Sequence, residues 1–327
     1  MVNWAVVAVN AFIYSTLIAF LTMGFNLTYQ TARIPNWAHG TFAALGIFVT
    51  LWVTRIWGAH TYLAIPLSFI IVALLGVAVY IGVIYTLKRS GAPEILLLIS
   101  TIAVDIILIA VLNIQADYIQ DAFKLNSRGF LLRDEDIEIP LSIPGIYEGV
   151  LPGVLVISTG LLAFFTAFFL VLLYKTKFGM AMRATVENPD LAEVIGVNVD
   201  KINLFSWFIT GGMAGVAGAL LPLWFRSYPA IGSLIIINVF AASILGGVRS
   251  LLLAIFATYL IGFVEIIGTA YISTIIPQIG GVSTASYRPL IPLAILLIAL
   301  MIVPEGFYGL WERFNEKRIS AKKVVEG

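Results

Sequence analysis

Residues Leu97 to Asn113 read "LLISTIAVDIILIAVLN", a run in which Asp105 is the one charge among aliphatic and small side chains. The hydrocarbon core of a bilayer, about 30 Å thick, is crossed by about 20 apolar residues in a helix. The run from about 94 to 114 has that length, so it is a membrane span, and the fold is decided by how many others accompany it.

The whole chain agrees with that reading. Its 327 residues are 60% hydrophobic and 11% charged, with a mean hydropathy of +1.00. Soluble domains carry about 25% charged residues, so this is an integral membrane protein. A net charge of +1 points to neither nucleic acid nor an acidic partner. With no cysteine, disulfide frameworks, thiolate metal sites and cysteine nucleophiles are all excluded. The first charged residue is Arg33, with no basic leader region and no small-residue cleavage site before it, so the apolar start is expected to be a retained span.

The pattern predicts an all-α, polytopic helix bundle of eight to nine spans, in one transmembrane domain over 1–327. Candidate spans lie at about 4–28, 38–56, 61–87, 94–114, 151–174, 202–225, 230–248, 251–275 and 287–303. The second and seventh adjoin breaks at Pro35 to Gly40 and Tyr228 to Gly232, so either can be a half-helix or a re-entrant segment. Basic residues accumulate on the cytoplasmic side of membrane proteins. A cytoplasmic C-terminus places Arg33, Lys88, Arg89, Lys175, Lys177, Arg183, Lys201, Arg249, Arg313, Lys317, Arg318, Lys322 and Lys323 inside, thirteen of the nineteen. Arg55, Lys124, Arg128, Arg133, Arg226 and Arg288 then lie outside, together with the N-terminus and a long loop, 116–150, made acidic by Asp134, Glu135, Asp136 and Glu138. The loop at 175–201 and the tail at 305–327 are cytoplasmic.

The inner loop carries "KFGMAMRATVENPDLAEVIGVNV", Lys177 to Val199, a polar segment between two apolar ones. Asn188 is placed to cap a helix, Pro189 to occupy its first position, Asp190 its first turn and Gly196 its stop. A rigid short helix outside the membrane suits either a solvated connector or a docking element.

From Thr176 to Leu221, "TKFGMAMRATVENPDLAEVIGVNVDKINLFSWFITGGMAGVAGALL", the chain resembles the cytoplasmic loop and following helix of the permeases of branched-chain amino-acid and urea ABC importers, in the shorter of their two permease types. "NWAHG" at Asn36 to Gly40, "AASILGG" at Ala241 to Gly247, and Tyr287-Arg288 followed by "PEGFYG" at Pro304 to Gly309 extend the resemblance over nearly the whole chain. It implies a subunit that forms the path for branched-chain or related amino acids with a second permease, is powered by two ATPase subunits and is fed by an extracytoplasmic binding protein, in a prokaryotic cell membrane. ATP and magnesium would sit on those partners, with no cofactor on this chain. Glu187, Asn188, Pro189, Asp190, Ala192, Glu193 and Gly196 would form the helix that couples to the ATPase. The family's further glycines after "AASILGG" are replaced by Val248, Arg249 and Ser250 and an unbroken Leu251 to Ile255 run, which leaves close helix approach there an open question.

Gly211, Gly215 and Gly218 recur at three- and four-residue spacing, which lines small residues on one helix face for packing; Gly246 and Gly247 are placed in the same role. Four residues are candidates for the substrate path. Asn36 and His39 stand where a broken helix exposes backbone groups to a carboxylate-bearing ligand, and equally suit capping of that span. Asp105 lies mid-span with Thr101 one turn before it; an ionised group there costs roughly 2.5–3.5 kcal/mol, so it faces protein or water. Glu265 shares a helix face with Gly262 and Thr269 and suits either a substrate ammonium or a partner arginine. Tyr287 and Arg288 suit an interfacial anchor.

Catalysis finds no support in the residue inventory. The chain contains no Gly-Lys dipeptide and hence no phosphate-binding loop of that kind. It has no His-Glu-x-x-His motif, and two histidines without cysteine make no ordinary zinc site. The alternative to an importer subunit is a stand-alone ion-coupled transporter or channel using Asp105 or Glu265.

Overall fold

A computed structural model describes residues 3–143, 147–279, 281–312 and 314, with the backbone alone for 141–143 and 147–149. Arg313 and the tail beyond Phe314, with Lys317, Arg318, Lys322 and Lys323, lie outside the described residues, as does Pro144.

The chain folds as helices. Trp4–Ala32 (α1) ends at a break where Arg33 adopts a positive φ of 56°. His39–Leu51 (α2) continues through a π-helical turn, Trp52–Ile56. Ala64–Val79 (α3) passes through a second π-helical turn, Tyr80–Tyr85, into Thr86–Arg89 (α4). Glu94–Phe123 (α5) leads to the hairpin Glu138–Ile143 (β1) and Tyr147–Pro152 (β2), which pair antiparallel. Gly153–Lys175 (α6) is followed by Lys177–Glu187 (α7), Pro189–Val194 (α8) and Val199–Leu220 (α9). Gly232–Gly246 (α10), Leu251–Ile275 (α11) and Leu290–Ile302 (α12) complete the order, with a small hairpin of Gln278–Ile279 (β3) and Val282–Ser283 (β4) before α12.

Among the described residues, eight helices are long and apolar enough to cross a membrane. They match eight of the nine expected spans; the seventh, at 230–248, is the shorter helix α10 of 15 residues, beginning at the Tyr228–Gly232 break. The span expected at 94–114 is a helix of 30 residues, about 45 Å long at 1.5 Å per residue. Hydropathy detects only its apolar part. The last turns, up to Phe123, are polar, and Arg128 folds back onto Asp117 at 2.6 Å to cover them.

The chain forms two compact units, Leu27–Ile236 in one and Met1–Asn26 with Ile237–Gly327 in the other. In the first, α9 packs against α2 and α3. A Cβ on Gly211 would strike the Val72 carbonyl, one on Gly215 the Ser68 carbonyl, and one on Gly218 the Ala43 carbonyl, while Gly46 approaches Gly215 so that a Cβ there would lie 2.7 Å from its carbonyl oxygen. Without a hydrophobic driving force between helices in lipid, such close backbone approach carries the association. Hydroxyls supplement it: Thr50 donates to the carbonyls of Gly46 and Ala219, and Ser68 to that of Gly46.

In the second unit α11 packs on the start of α1, where Thr258 donates to Thr22 and Tyr259 pairs with Thr16. Ala241, Ala242, Leu245, Ala257, Ile261 and Ala299 form its apolar centre. Close approach occurs at the end of "AASILGG": a Cβ on Gly246 would collide with the Ala254 backbone, where alanine supplies the small surface that the replaced glycines do not. Gly247, at a φ of +81°, lets the chain turn beneath Tyr308, and Ser250 then caps α11 by accepting from the Leu253 amide.

Candidate functional site

The candidate residues fall into three groups, each within one of the two units. The first lies in the segment expected to be cytoplasmic. Thr176 caps α7 by accepting from the Gly179 amide at 3.0 Å. Asn188 caps α8 by accepting from the Leu191 amide at 3.0 Å, and Pro189 occupies the first position, where its missing N–H costs nothing. At the other end Gly196 has a φ of +90°. Its amide donates to Glu193 and that of Val197 to Ala192, at 3.0 and 2.9 Å. This double closure is the Schellman motif, which satisfies carbonyls that a six-residue helix otherwise leaves open. Arg33 donates to the carbonyls of Val186 and Glu187 and so holds the end of α7 to the α1–α2 break.

Ala192 is buried, and Glu187, Asp190 and Glu193 are exposed, as are Leu191, Val194 and Ile195. Val194 is 82% exposed and Ile195 68%. The outward surface of α8 is therefore apolar with an acidic margin. The acids were legible in the sequence and the aliphatic residues were missed, although the helical period of "LAEVI" sets Leu191, Val194 and Ile195 on one face by their three- and four-residue spacing.

The second group surrounds the α1–α2 break. Thr101 on α5 donates to the Pro35 carbonyl and accepts from the Trp37 amide at 3.2 Å. One turn along, Asp105 accepts from Thr41 at 2.5 Å. Asn36, His39 and Asp105 are all buried, and the amide group of Asn36 meets no partner among the described residues. The break, the first turn of α2 and the polar face of α5 thus form one buried polar cluster with spare hydrogen-bonding capacity.

Glu265 belongs to the other unit. It receives Arg288 at 2.6 Å, and the guanidinium lies over the Tyr14 ring, 4.3 Å from its centre. Arg288 is therefore an ion-pair partner within the chain, a role that its place at a span end did not suggest. No local pattern links a residue of α11 to one 23 positions on, in the turn before α12.

The acidic loop is tied to helix ends. Arg55 pairs with Asp134 and Glu135 at 2.5 and 2.9 Å, Tyr62 bonds to Asp136, and Asp136 accepts from the Val154 amide at the start of α6. The Arg55 hydrogen bond holds the Asp134 carboxyl below its ordinary value. Among the described residues no His, Asp and Glu cluster has the makings of a metal site.

The sequence profile of the branched-chain amino acid transport system permease component matches residues 7–300. The chain belongs to this permease family. The permease is 36% identical over 307 residues to the probable branched-chain amino acid transport permease protein LivH of Methanocaldococcus jannaschii, covering 94% of this chain and 93% of that one. It is 25% identical over 316 residues to the high-affinity branched-chain amino acid permease protein LivH of Salmonella typhimurium, covering 89% and 91%. Among solved structures it is distantly similar to PsaBC of Streptococcus pneumoniae in complex with a Fab, with a TM-score of 0.44 and 15% identity over 93% and 94% of the two chains. With its eight crossing-length apolar helices, the permease is a multi-pass membrane protein.

Proposed function

We propose that this permease is the membrane-spanning, non-catalytic subunit of an ATP-driven importer, working as a single transmembrane domain. It forms the path for branched-chain or related amino acids with a second permease, receives substrate from an extracytoplasmic binding protein, and is driven by two ATPase subunits that hold the ATP and magnesium. It binds no cofactor itself. The substrate path includes Asn36, His39, Asp105 and Glu265.

The observation that carries the reading is α8. A six-residue helix is too short to be stable alone, yet this one is capped at both ends and anchored by buried Ala192. It presents Leu191, Val194 and Ile195 to the outside with Glu187, Asp190 and Glu193 beside them. An apolar ridge with an acidic margin, held rigid outside the apolar helices, suits insertion into a groove on an ATPase, where closure of the groove moves the helix and exchanges outward- and inward-facing states.

The same reading places the N-terminus outside and the C-terminus in the cytoplasm of a prokaryotic cell. The balance of basic residues supports it. So does the joining of Arg33 to the end of α7, and of Arg55 to the acidic loop, because each contact links segments assigned to one side. Uptake into liposomes separates this from the stand-alone reading: leucine accumulation should require ATP and the ATPase subunits and be indifferent to a sodium or proton gradient. Accumulation driven by an ion gradient, with no ATPase present, overturns the proposal.

A further inference from the structure

The ion pair of Glu265 and Arg288, with the Tyr14 hydroxyl interacting with both groups, still leaves two of its polar atoms without a close hydrogen bond. Arg288 donates through Nε to Glu265 Oε1 at 2.6 Å. The second carboxylate oxygen, Oε2, and the terminal Nη2 of the guanidinium are both buried without a hydrogen-bond partner among the described residues. Thr269, one turn from Glu265 on the same face of α11, has a buried hydroxyl in the same condition, as has the Oδ1 of Asn238 on α10. Tyr14 lies under the guanidinium and accepts from the Asn238 amide group at 3.2 Å. The close approach of α1 to α11 that brings Tyr14 here rests on Gly262, where a Cβ would strike Ser15.

A buried ion pair that served packing alone would be expected to have its remaining lone pairs and protons satisfied, since a partly satisfied polar group in low dielectric is costly. Here four polar atoms of one cluster lack a close hydrogen bond although Tyr14 interacts with both charged groups, and both signs of charge are represented. We propose that Glu265 and Arg288 are a zwitterion-reading site, in which the α-ammonium of an amino acid takes Glu265 and its α-carboxylate takes Arg288. The inference rests on the transport reading above and deepens it by assigning the residues that read the substrate's charged end.

The chemistry is an exchange of partners with no change in net charge. One internal pair and one zwitterion become two pairs, so no charge is left alone at any stage. An amine lacking the carboxylate would leave Arg288 half-buried and unpaired, and an acid lacking the ammonium would leave Glu265 buried and unpaired. Discrimination by such stranded charges is strongest at the buried Glu265 and weaker at the partly exposed Arg288. Neutral solutes such as urea or an amide cannot perform the exchange. Arginine suits the task better than lysine, since its planar fork keeps Nη2 available while Nε is engaged. The side chain of Arg288 is 27% exposed and that of Glu265 2%, and Arg288 stands at the junction of the turn Thr284–Tyr287 with α12. Arg288 is therefore the arm that moves and Glu265 the fixed post, with the face of Tyr14 supporting the cation.

The test uses the purified permease complex without its binding protein and measures binding by saturation-transfer NMR at millimolar ligand. The ligands are L-leucine, leucinamide, which keeps only the ammonium, and 4-methylpentanoate, which keeps only the carboxylate. Wild type should bind leucine at least tenfold tighter than either analogue. Arg288→Gln should lose at least tenfold for leucine and bind leucinamide as well as it binds leucine; Glu265→Gln should do the same with 4-methylpentanoate. Variants that weaken all three ligands equally, or none, overturn the inference, because a packing role leaves the order of ligands unchanged. Should a neutral variant fail to assemble, the wild-type series decides: analogues that bind as tightly as leucine overturn it. ATP-driven leucine uptake with unaltered ligand preference in the variants overturns this inference alone, whereas a wild-type complex that neither binds nor carries any amino acid overturns the transport reading with it.

Discussion

Gly196→Val separates the shape of α8 from its contacts. A Cβ at position 196 would meet nothing within 4 Å, so the substitution introduces no clash. What it introduces is backbone strain, since a φ of +90° is unfavourable for any residue with a Cβ, and most of all for a β-branched one. Keeping the conformation costs about 2 kcal/mol. Abandoning it breaks the two closing hydrogen bonds, Gly196 to Glu193 and Val197 to Ala192, which together contribute about 2 kcal/mol. Either route lowers the population of the capped helix about 30-fold, at 1.36 kcal/mol per factor of ten. The assay is ATP-driven uptake by the reconstituted complex, with assembly and membrane insertion measured beside it. Uptake should fall at least tenfold while insertion is unchanged; Gly196→Asn, which tolerates the left-handed region, should retain most of it. Wild-type uptake by Gly196→Val would remove the rigid helix from the mechanism.

Three further outcomes follow from the packing. Gly215→Ile drives a side chain into the Ser68 carbonyl and should destabilise by about 3 kcal/mol or more, seen as a lower melting midpoint in detergent, whereas Gly160→Ala, with open space around it, should be neutral or stabilising by up to about 1 kcal/mol. Asp105→Asn keeps an acceptor for Thr41 and should melt within a few degrees of wild type, while Asp105→Leu leaves that buried hydroxyl unpaired at a cost of about 1–3 kcal/mol. The Arg55–Asp134 pair is largely exposed, so Asp134→Asn should cost under about 1 kcal/mol at pH 7. Because the folded carboxyl sits below its ordinary value, the pair's contribution is present above the unfolded pKa of about 3.9 and is lost as pH falls through the folded one; the melting difference between variant and wild type should shrink to nothing in that acid range and stay constant from pH 5 to 8.

What could be read from the sequence depended on how local the determining physics is. The caps of α8 were legible because Asn188, Pro189 and Gly196 act within a few residues of themselves, and the spans because twenty apolar residues have one destination. The face of α9 carrying Gly211, Gly215 and Gly218 was legible as a packing face, but its partners at Ser68, Val72 and Ala43 required the fold. Hydropathy was blind to the polar end of α5, which is stabilised by Arg128 across a turn. Glu265 stood out as a buried charge, but its partner did not, because Arg288 reaches it from the turn before α12 and resembles an ordinary interfacial residue. Asp105 was likewise visible and Thr41 was not, since neighbouring helices bring them together across 64 positions.

The most direct test of the account is mass spectrometry of what co-purifies with a tagged form of this chain, extracted from its native membrane in mild detergent. Two ATPase chains and a longer permease should be recovered in fixed proportion to it. A chain that purifies alone and still moves amino acids in ion-loaded vesicles would contradict it.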